Sequence, residues 1–188
     1  MTPIIATSRL IIRNWADGDR ALFHRINADD RVMEFFPFRR DRTASDAFLD
    51  WLRKDIAERG FGFCATELRK TDECIGFVGL HQTTGISSLP PGTVEIGWRL
   101  APEFWGKGYV TEAAKAWLDF GFKTLGLEEI VSFAVWNNMR SVAVMKRIGM
   151  RALPERDFDH PSVPDTHPHL KRHVFYRITR DEWSGSQV

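Results

Sequence analysis

The sequence is poor in cysteine, nearly devoid of net charge and free of long apolar runs, and each shortage closes off a class of protein. Only Cys64 and Cys74 are present, both inside apolar stretches and without Cys-x-x-Cys spacing, which argues against a disulfide framework and for a reducing compartment. Lysine and arginine number 26 against 25 aspartates and glutamates, a formal charge of +1. No global field therefore draws in nucleic acid or an anionic membrane, and any basic site is local. No stretch approaches about 18 uncharged apolar residues. The start, from Met1 to Trp15, is interrupted by Arg9 and Arg13 and has no small-residue cleavage site. These absences predict a cytoplasmic protein with neither nucleic acid nor membrane as partner. What is present, 188 residues of which 43% are hydrophobic and 27% charged, suits one domain with a substantial core.

The order of elements follows from periodicity and punctuation. Ile4 to Trp15 reads as a strand, and Asp17 opens a helix with Leu22, Phe23 and Ile26 on one face. Thr43 is the expected N-cap of a second helix that ends near Gly60, with Asp46 as its capping-box partner. Phe61 to Leu68 and Cys74 to Thr83 form a predicted antiparallel hairpin, and the Gly/Ser/Pro-rich run from 85 to 92 a surface loop. In the next strand, Thr93 to Leu100, the residues Val94, Ile96, Trp98 and Leu100 alternate with Thr93, Glu95, Gly97 and Arg99, which places Glu95 off the oily face. A glycine turn leads to a helix from Val110 to Gly126, then a strand from Ile130 to Trp136 and a helix ending at Gly149. Late strands at about Met150 to Phe158 and Arg172 to Thr179 flank a proline-rich loop. The chain is thus expected to form one α+β domain over residues 1–183, a mixed sheet of six to seven strands with helices on both faces, and a flexible tail over 184–188.

The most informative segment is Trp105-Gly106-Lys107-Gly108-Tyr109-Val110-Thr111-Glu112, between a strand's end and the start of an amphipathic helix. Two glycines permit backbone conformations closed to other residues, and the first amides of a helix lack internal partners and carry positive partial charge. Such a turn either cradles an anion or simply reverses the chain. It is not a nucleotide P-loop, which needs Ser or Thr after Gly-Lys, and it matches the dinucleotide fingerprint poorly because Thr111 stands where a third glycine belongs.

The run from Pro102 to Ala113 resembles the acetyl-CoA signature of the GCN5-related N-acetyltransferase (GNAT) superfamily, in particular its ribosomal-protein N-terminal (RimJ/RimL-like) branch. Asn138-Met139-Arg140-Ser141, followed by Val144 and Gly149-Met150, is similar to that family's second motif. The resemblance spans Thr7 to about Thr179 and implies a GNAT-like fold and acetyl transfer from acetyl-CoA to a primary amine, with CoA as product. It also implies that the backbone around Trp105 and Tyr109, and the amides of Gly106, Lys107, Gly108, Val110 and Thr111, hold the CoA pyrophosphate, that Arg99 and Leu100 meet the pantetheine, and that Asn138 and Ser141 lie near the thiol. Val110 departs from the family's small residue, and Met145 stands where many relatives have a tyrosine that protonates the thiolate.

Acyl transfer needs a neutral amine. A protein α-amine is about 14% neutral at pH 7 and a lysine amine about 0.04%, roughly a 350-fold difference, so an α-amine, as at a peptide or protein N-terminus, is the favoured acceptor. A small-molecule amine (antibiotic, polyamine or amino acid) and a non-catalytic acyl-CoA sensor are the competing readings. Glu95 is the first candidate base, with a salt bridge to Arg99 as its competing role. His81 is a second candidate, with a structural role as the alternative. Ser141, three residues after an Asn138 N-cap, either favours the thiolate or helps cap the helix. His160, His167, His169 and His173 fit no zinc spacing, and no metal is expected. Phe35, Phe36 and Phe38 either pack in the core or line an acceptor pocket.

Overall fold

The computed structural model describes residues 4–185. Its contacts divide the chain into two compact units: one comprises residues up to Glu34, Phe38–His81 and Gly97–Trp117, the other Phe35–Pro37, Gln82–Ile96 and the chain from Leu118 on.

The first unit is an antiparallel sheet with helices. Strands β1 (Ile5–Ala6) and β2 (Leu10–Arg13) replace the single strand expected over Ile4–Trp15; they pair with each other, and β2 pairs with β3 (Phe63–Leu68), which pairs in turn with β4 (Glu73–Gln82). The break between β1 and β2 comes where the Thr7 hydroxyl takes the amide of Leu10 at 3.0 Å and closes a local turn. Asp17–Asp19 form a single 3-10 turn before helix α1 (Arg20–Ala28). Asp19 is committed elsewhere, its Oδ2 accepting from the Ala16 amide at 2.7 Å and from Arg13 at 2.7 Å. Helix α2 (Arg42–Arg59) starts two residues earlier than a Thr43 cap allows: Asp41 is the N-cap, its Oδ1 accepting from the Ala44 amide at 2.8 Å. Asp46 pairs with Arg42 at 2.8 Å instead of completing a capping box. Gly60 ends the helix in the left-handed region, φ 79°.

Leu10, Ile12, Trp15, Phe23, Leu49, Leu52 and Ile75 are completely buried. Trp15 meets Phe23 edge-on at 4.7 Å and spends its indole N–H on the Phe63 carbonyl at 2.8 Å, so its one polar atom is satisfied where it lies. The indole of Trp117, in helix α3 (Tyr109–Lys123), does the same with Val78 at 2.8 Å.

The second unit is built on a mixed sheet. Strand β5 (Val94–Leu100) pairs parallel with β6 (Glu129–Val135), Glu95 opposite Val131. The long strand β9 (Arg172–Thr179) runs antiparallel to β6 and also pairs with the two-residue strands β7 (Arg151–Ala152) and β8 (Phe158–Asp159). The late strand expected over Met150–Phe158 is therefore two short pieces, separated by a 3-10 turn at Pro154–Arg156, because Pro154 has no N–H for a ladder. Helix α4 (Met139–Arg147) buries Val142 and Met145. Helix α5 (Arg180–Gly185) buries Trp183, whose indole donates to Asp119 at 2.8 Å. Ser184 and Gly185, expected in the tail, belong to α5, and residues 186–188 lie outside the described chain. Nine strands are present among the described residues, three of them only two residues long, and the α+β class with a mixed sheet is as expected.

Candidate active site

The turn after β5 is built for exposure of its backbone. Pro102–Phe104 form a 3-10 turn, Gly106 and Gly108 both take positive φ (74° and 79°), and α3 begins at Tyr109. These φ values exclude most side chains without strain. A Cβ on Gly106 would meet nothing within 4 Å, so that glycine is required by the conformation and not by crowding. The first bond into the helix runs from the Glu112 amide to the Gly108 carbonyl, 3.0 Å. The amides of Tyr109, Val110 and Thr111 thus precede the first closed turn and have no intrahelical acceptor. Together with the dipole of a 15-residue helix, they form an electropositive helix start of the kind that can hold an anion. Lys107 lies over the Phe104 ring at 5.5 Å, beside that backbone.

Two residues that sequence reasoning passed over fix the turn. Glu112 Oε1 accepts from the Thr7 hydroxyl (2.6 Å), the Ser8 hydroxyl (3.0 Å) and the Arg9 amide (2.9 Å), and Oε2 from Arg9 Nε (2.6 Å). Burial alone would raise the Glu112 pKa, but the donors from Thr7, Arg9 and Ser8 outweigh it and hold the carboxyl at about 2. Arg9 also donates from Nη1 to the Lys107 carbonyl at 3.0 Å and lies over the Tyr109 ring at 4.7 Å. The segment between β1 and β2 is thereby bolted to the glycine turn. The only available signal was a charged pair separated by a hundred residues, which no local pattern reveals.

The end of β5 is equally constrained. Trp105 donates its indole N–H to the Leu100 carbonyl at 2.8 Å, and the Ala101 amide donates to the Ile75 carbonyl at 3.0 Å. At Gly76 (φ 138°) a Cβ would sit 2.2 Å from the Arg99 carbonyl, so only glycine allows this close approach. The Arg99 side chain, on the strand end expected to meet the pantetheine, donates from Nη1 to Asn27 Oδ1 at 2.5 Å and lies over Phe77 at 5.3 Å. His81 stacks on Phe63 at 5.1 Å and meets Trp51 edge-on at 5.8 Å.

In the second unit Asn138 caps α4 as expected, its side chain accepting from the Ser141 amide at 3.2 Å. Ser141 is half-buried and Met145 completely buried, so the position of the family's tyrosine is a sealed apolar one. Glu95 is half-buried, and its charge favours the protonated form of His160. Two of the four late histidines, His160 and His173 on β9, lie 5.0 Å apart and pack on Phe158. Burial lowers both pKa values, and the His173 charge lowers that of His160 further. Among the described residues no group of three or more His, Cys, Asp or Glu is arranged to hold a metal ion. Phe36 and Phe38 are 36% and 42% exposed, which corrects the core-packing expectation for them.

The structure thus gathers Arg99, Leu100 and Trp105 through Thr111 in the first unit, and Glu95, Asn138 and Ser141 in the second. A family model for the acetyltransferase (GNAT) domain matches residues 9–151. The uncharacterized N-acetyltransferase YnaD of Bacillus subtilis is 31% identical over 96% of this chain and 99% of its own. The FsC-acetyl coenzyme A-N(2)-transacetylase of Aspergillus fumigatus is 29% identical over 98% of this chain and 80% of its own. A Bacillus subtilis protein with the provisional name ribosomal N-acetyltransferase YdaF is 32% identical over 91% of this chain and 90% of its own. Among solved structures, a GNAT-family acetyltransferase from Bacillus anthracis superposes with a TM-score of 0.77 at 26% identity, covering 94% of this chain and 98% of that one. With that family match lying across the glycine turn and the elements that hold it, the chain belongs to the GNAT acetyltransferases and is an N-acetyltransferase that uses acetyl-CoA.

Proposed function

We propose that the chain acetylates the α-amine of a peptide or protein N-terminus, in the manner of the RimJ/RimL-like branch, as a cytoplasmic enzyme whose acetyltransferase domain runs from residue 1 to 183. The observation that carries the acyl-transfer reading is the positive-φ turn at Gly106 and Gly108 ahead of the unclosed amides of α3. On this reading the backbone of Trp105 to Thr111 holds the CoA pyrophosphate, and Arg99 and Leu100 align the pantetheine. Acetyl-CoA supplies an activated thioester. Glu95 takes the proton of the attacking amine, directly or through a water, which is an undemanding task for an amine already about 14% neutral at pH 7. Met145 has no proton to give, so the positive end of α4 and the Ser141 hydroxyl favour the departing thiolate. Support for a peptide acceptor comes from the amine's own pKa and from the name carried by the YdaF relative.

Comparing acetyl-CoA turnover on N-terminal peptides with that on a small-amine panel tests the reading; peptides are expected to be the better substrates. The FsC-acetyl coenzyme A-N(2)-transacetylase relative, whose name mentions no peptide or protein, leaves a second reading, a small-molecule amine, and exclusive turnover of small amines would establish that one. Saturable CoA binding without product from any amine would instead leave a sensor. Among the described residues no helix is long and apolar enough to cross a membrane.

A further inference from the structure

Arg40 stands apart from its neighbours in the chain. Arg39 pairs with Asp30 at 2.8 Å and Arg42 with Asp46 at 2.8 Å. Arg40 is clamped between two aromatic rings, its guanidinium 4.9 Å from the Phe38 centroid and 4.5 Å from that of Phe48. Its Nε is buried with no hydrogen-bond partner, and among the described residues no carboxylate pairs with it. A buried guanidinium donor without an acceptor is costly unless a ligand provides one.

A second arginine is tied to the same asparagine. Asn27 is completely buried, and its Nδ2 donates to the Phe23 carbonyl at 2.7 Å, which orients Oδ1 toward Arg99 Nη1 at 2.5 Å. The main-chain carbonyl of the same Asn27 accepts from the Arg40 amide at 3.0 Å. One asparagine thus anchors both arginines. The two are close enough for the Arg40 charge to lower the Arg99 pKa, which burial pushes down to about 9, and burial lowers Arg40 as well. Both remain cationic at neutral pH. Two guanidinium-bearing side chains tied to one asparagine and flanked by aromatic rings favour an oxyanion between them. Phe38 at 42% and Trp51 at 48% exposure, the latter stacked on Phe48 at 5.9 Å, put the aromatic residues around Arg40 at the surface. Arg99 is the penultimate residue of β5, the strand whose end is tied to the glycine turn through Trp105.

We propose that the amine acceptor carries an anionic group, a carboxylate or a phosphate, and that Arg40 together with Arg99 binds it. This inference rests on the acyl-transfer reading and narrows its substrate class: polycationic amines are repelled by the same pair that attracts an anion-bearing amine.

The test measures CoA release with matched acceptors: a dipeptide beginning with glutamate against one beginning with glutamine, phosphoethanolamine against ethanolamine, and spermidine. The anionic member of at least one pair is expected to have a kcat/KM about tenfold higher or more, and the pair that shows it identifies carboxylate or phosphate. Arg40→Gln is expected to abolish that preference through KM, Arg40→Lys to keep part of it, and the acetyl-CoA Kd to stay unchanged in both. Preference for the neutral members or spermidine, or a ratio untouched by Arg40→Gln, would overturn the inference and leave acyl transfer standing. No product from any amine would remove both. Should Arg40→Gln fail to fold, the wild-type ratios and Arg40→Lys still decide.

Discussion

Arg9 Nε and Glu112 Oε2 lie 2.6 Å apart, and through this pair the segment following β1 grips the first turn of α3. Arg9 reaches on to the Lys107 carbonyl, so one guanidinium joins the helix start to the glycine turn before it.

Because the folded Glu112 pKa, about 2, lies below the ordinary glutamate value, the carboxylate contributes stability that is present above its unfolded pKa and lost as pH falls through about 2. Arg9 is 48% exposed at its side chain, so solvent screening limits the effect to on the order of 1–2 kcal/mol. Glu112→Gln should lower the urea midpoint at pH 7 and flatten the decline between pH 5 and 2, read by equilibrium unfolding at each pH. An unaltered decline would mean that other carboxylates control it.

Gly106→Ala and Gly108→Ala should each cost about 1 kcal/mol of stability, a Tm loss of roughly 2–4 °C, since both require positive φ. On the proposed placement of the pyrophosphate they should weaken acetyl-CoA binding by more than the stability loss accounts for. Calorimetric titration of folded variants would show this, and a Kd equal to wild type would move the coenzyme elsewhere.

Glu95→Gln is expected to lower kcat at pH 7 with acetyl-CoA affinity retained. Ser141→Ala should lower kcat more modestly, because the positive end of α4 remains. A kcat unchanged by Glu95→Gln would take Glu95 out of the chemistry.

Gly79→Ala should destabilise by several kcal/mol, because a Cβ there would sit 1.8 Å from the Gly62 carbonyl, backbone that has nowhere to go. Thermal unfolding or loss of soluble expression reads it, whereas a fully stable variant would contradict the close pairing of β3 and β4.

The readable parts of the sequence were those with local causes. Gly60, the Asn138 cap and the alternation through β5 each follow from neighbours within a few residues, and the structure has them where expected. The Thr43 cap failed because Asp41, one residue before the helix, has a side chain that reaches the Ala44 amide, a competition that propensity alone does not settle. The split of the first strand and the division of Met150–Phe158 turned on one hydroxyl and one proline. In the candidate site the glycine turn was legible because φ restricts residue type. The Arg9–Glu112 clamp and the Asn27 anchor were not, since each joins distant parts of the chain. The last strand was legible too: Arg172–Thr179 is β9, and His173 on it lies opposite Phe158 and is only 8% exposed, whereas its packing against His160, thirteen residues earlier, had no local signal.

The Trp105 indole bond to the Leu100 carbonyl joins the edge proposed to align the coenzyme's arm to the cradle proposed for its diphosphate. Such a coupling means that the docking surface is rigid before anything arrives, so that little of the binding energy is spent on ordering the protein and more is left to position the thioester.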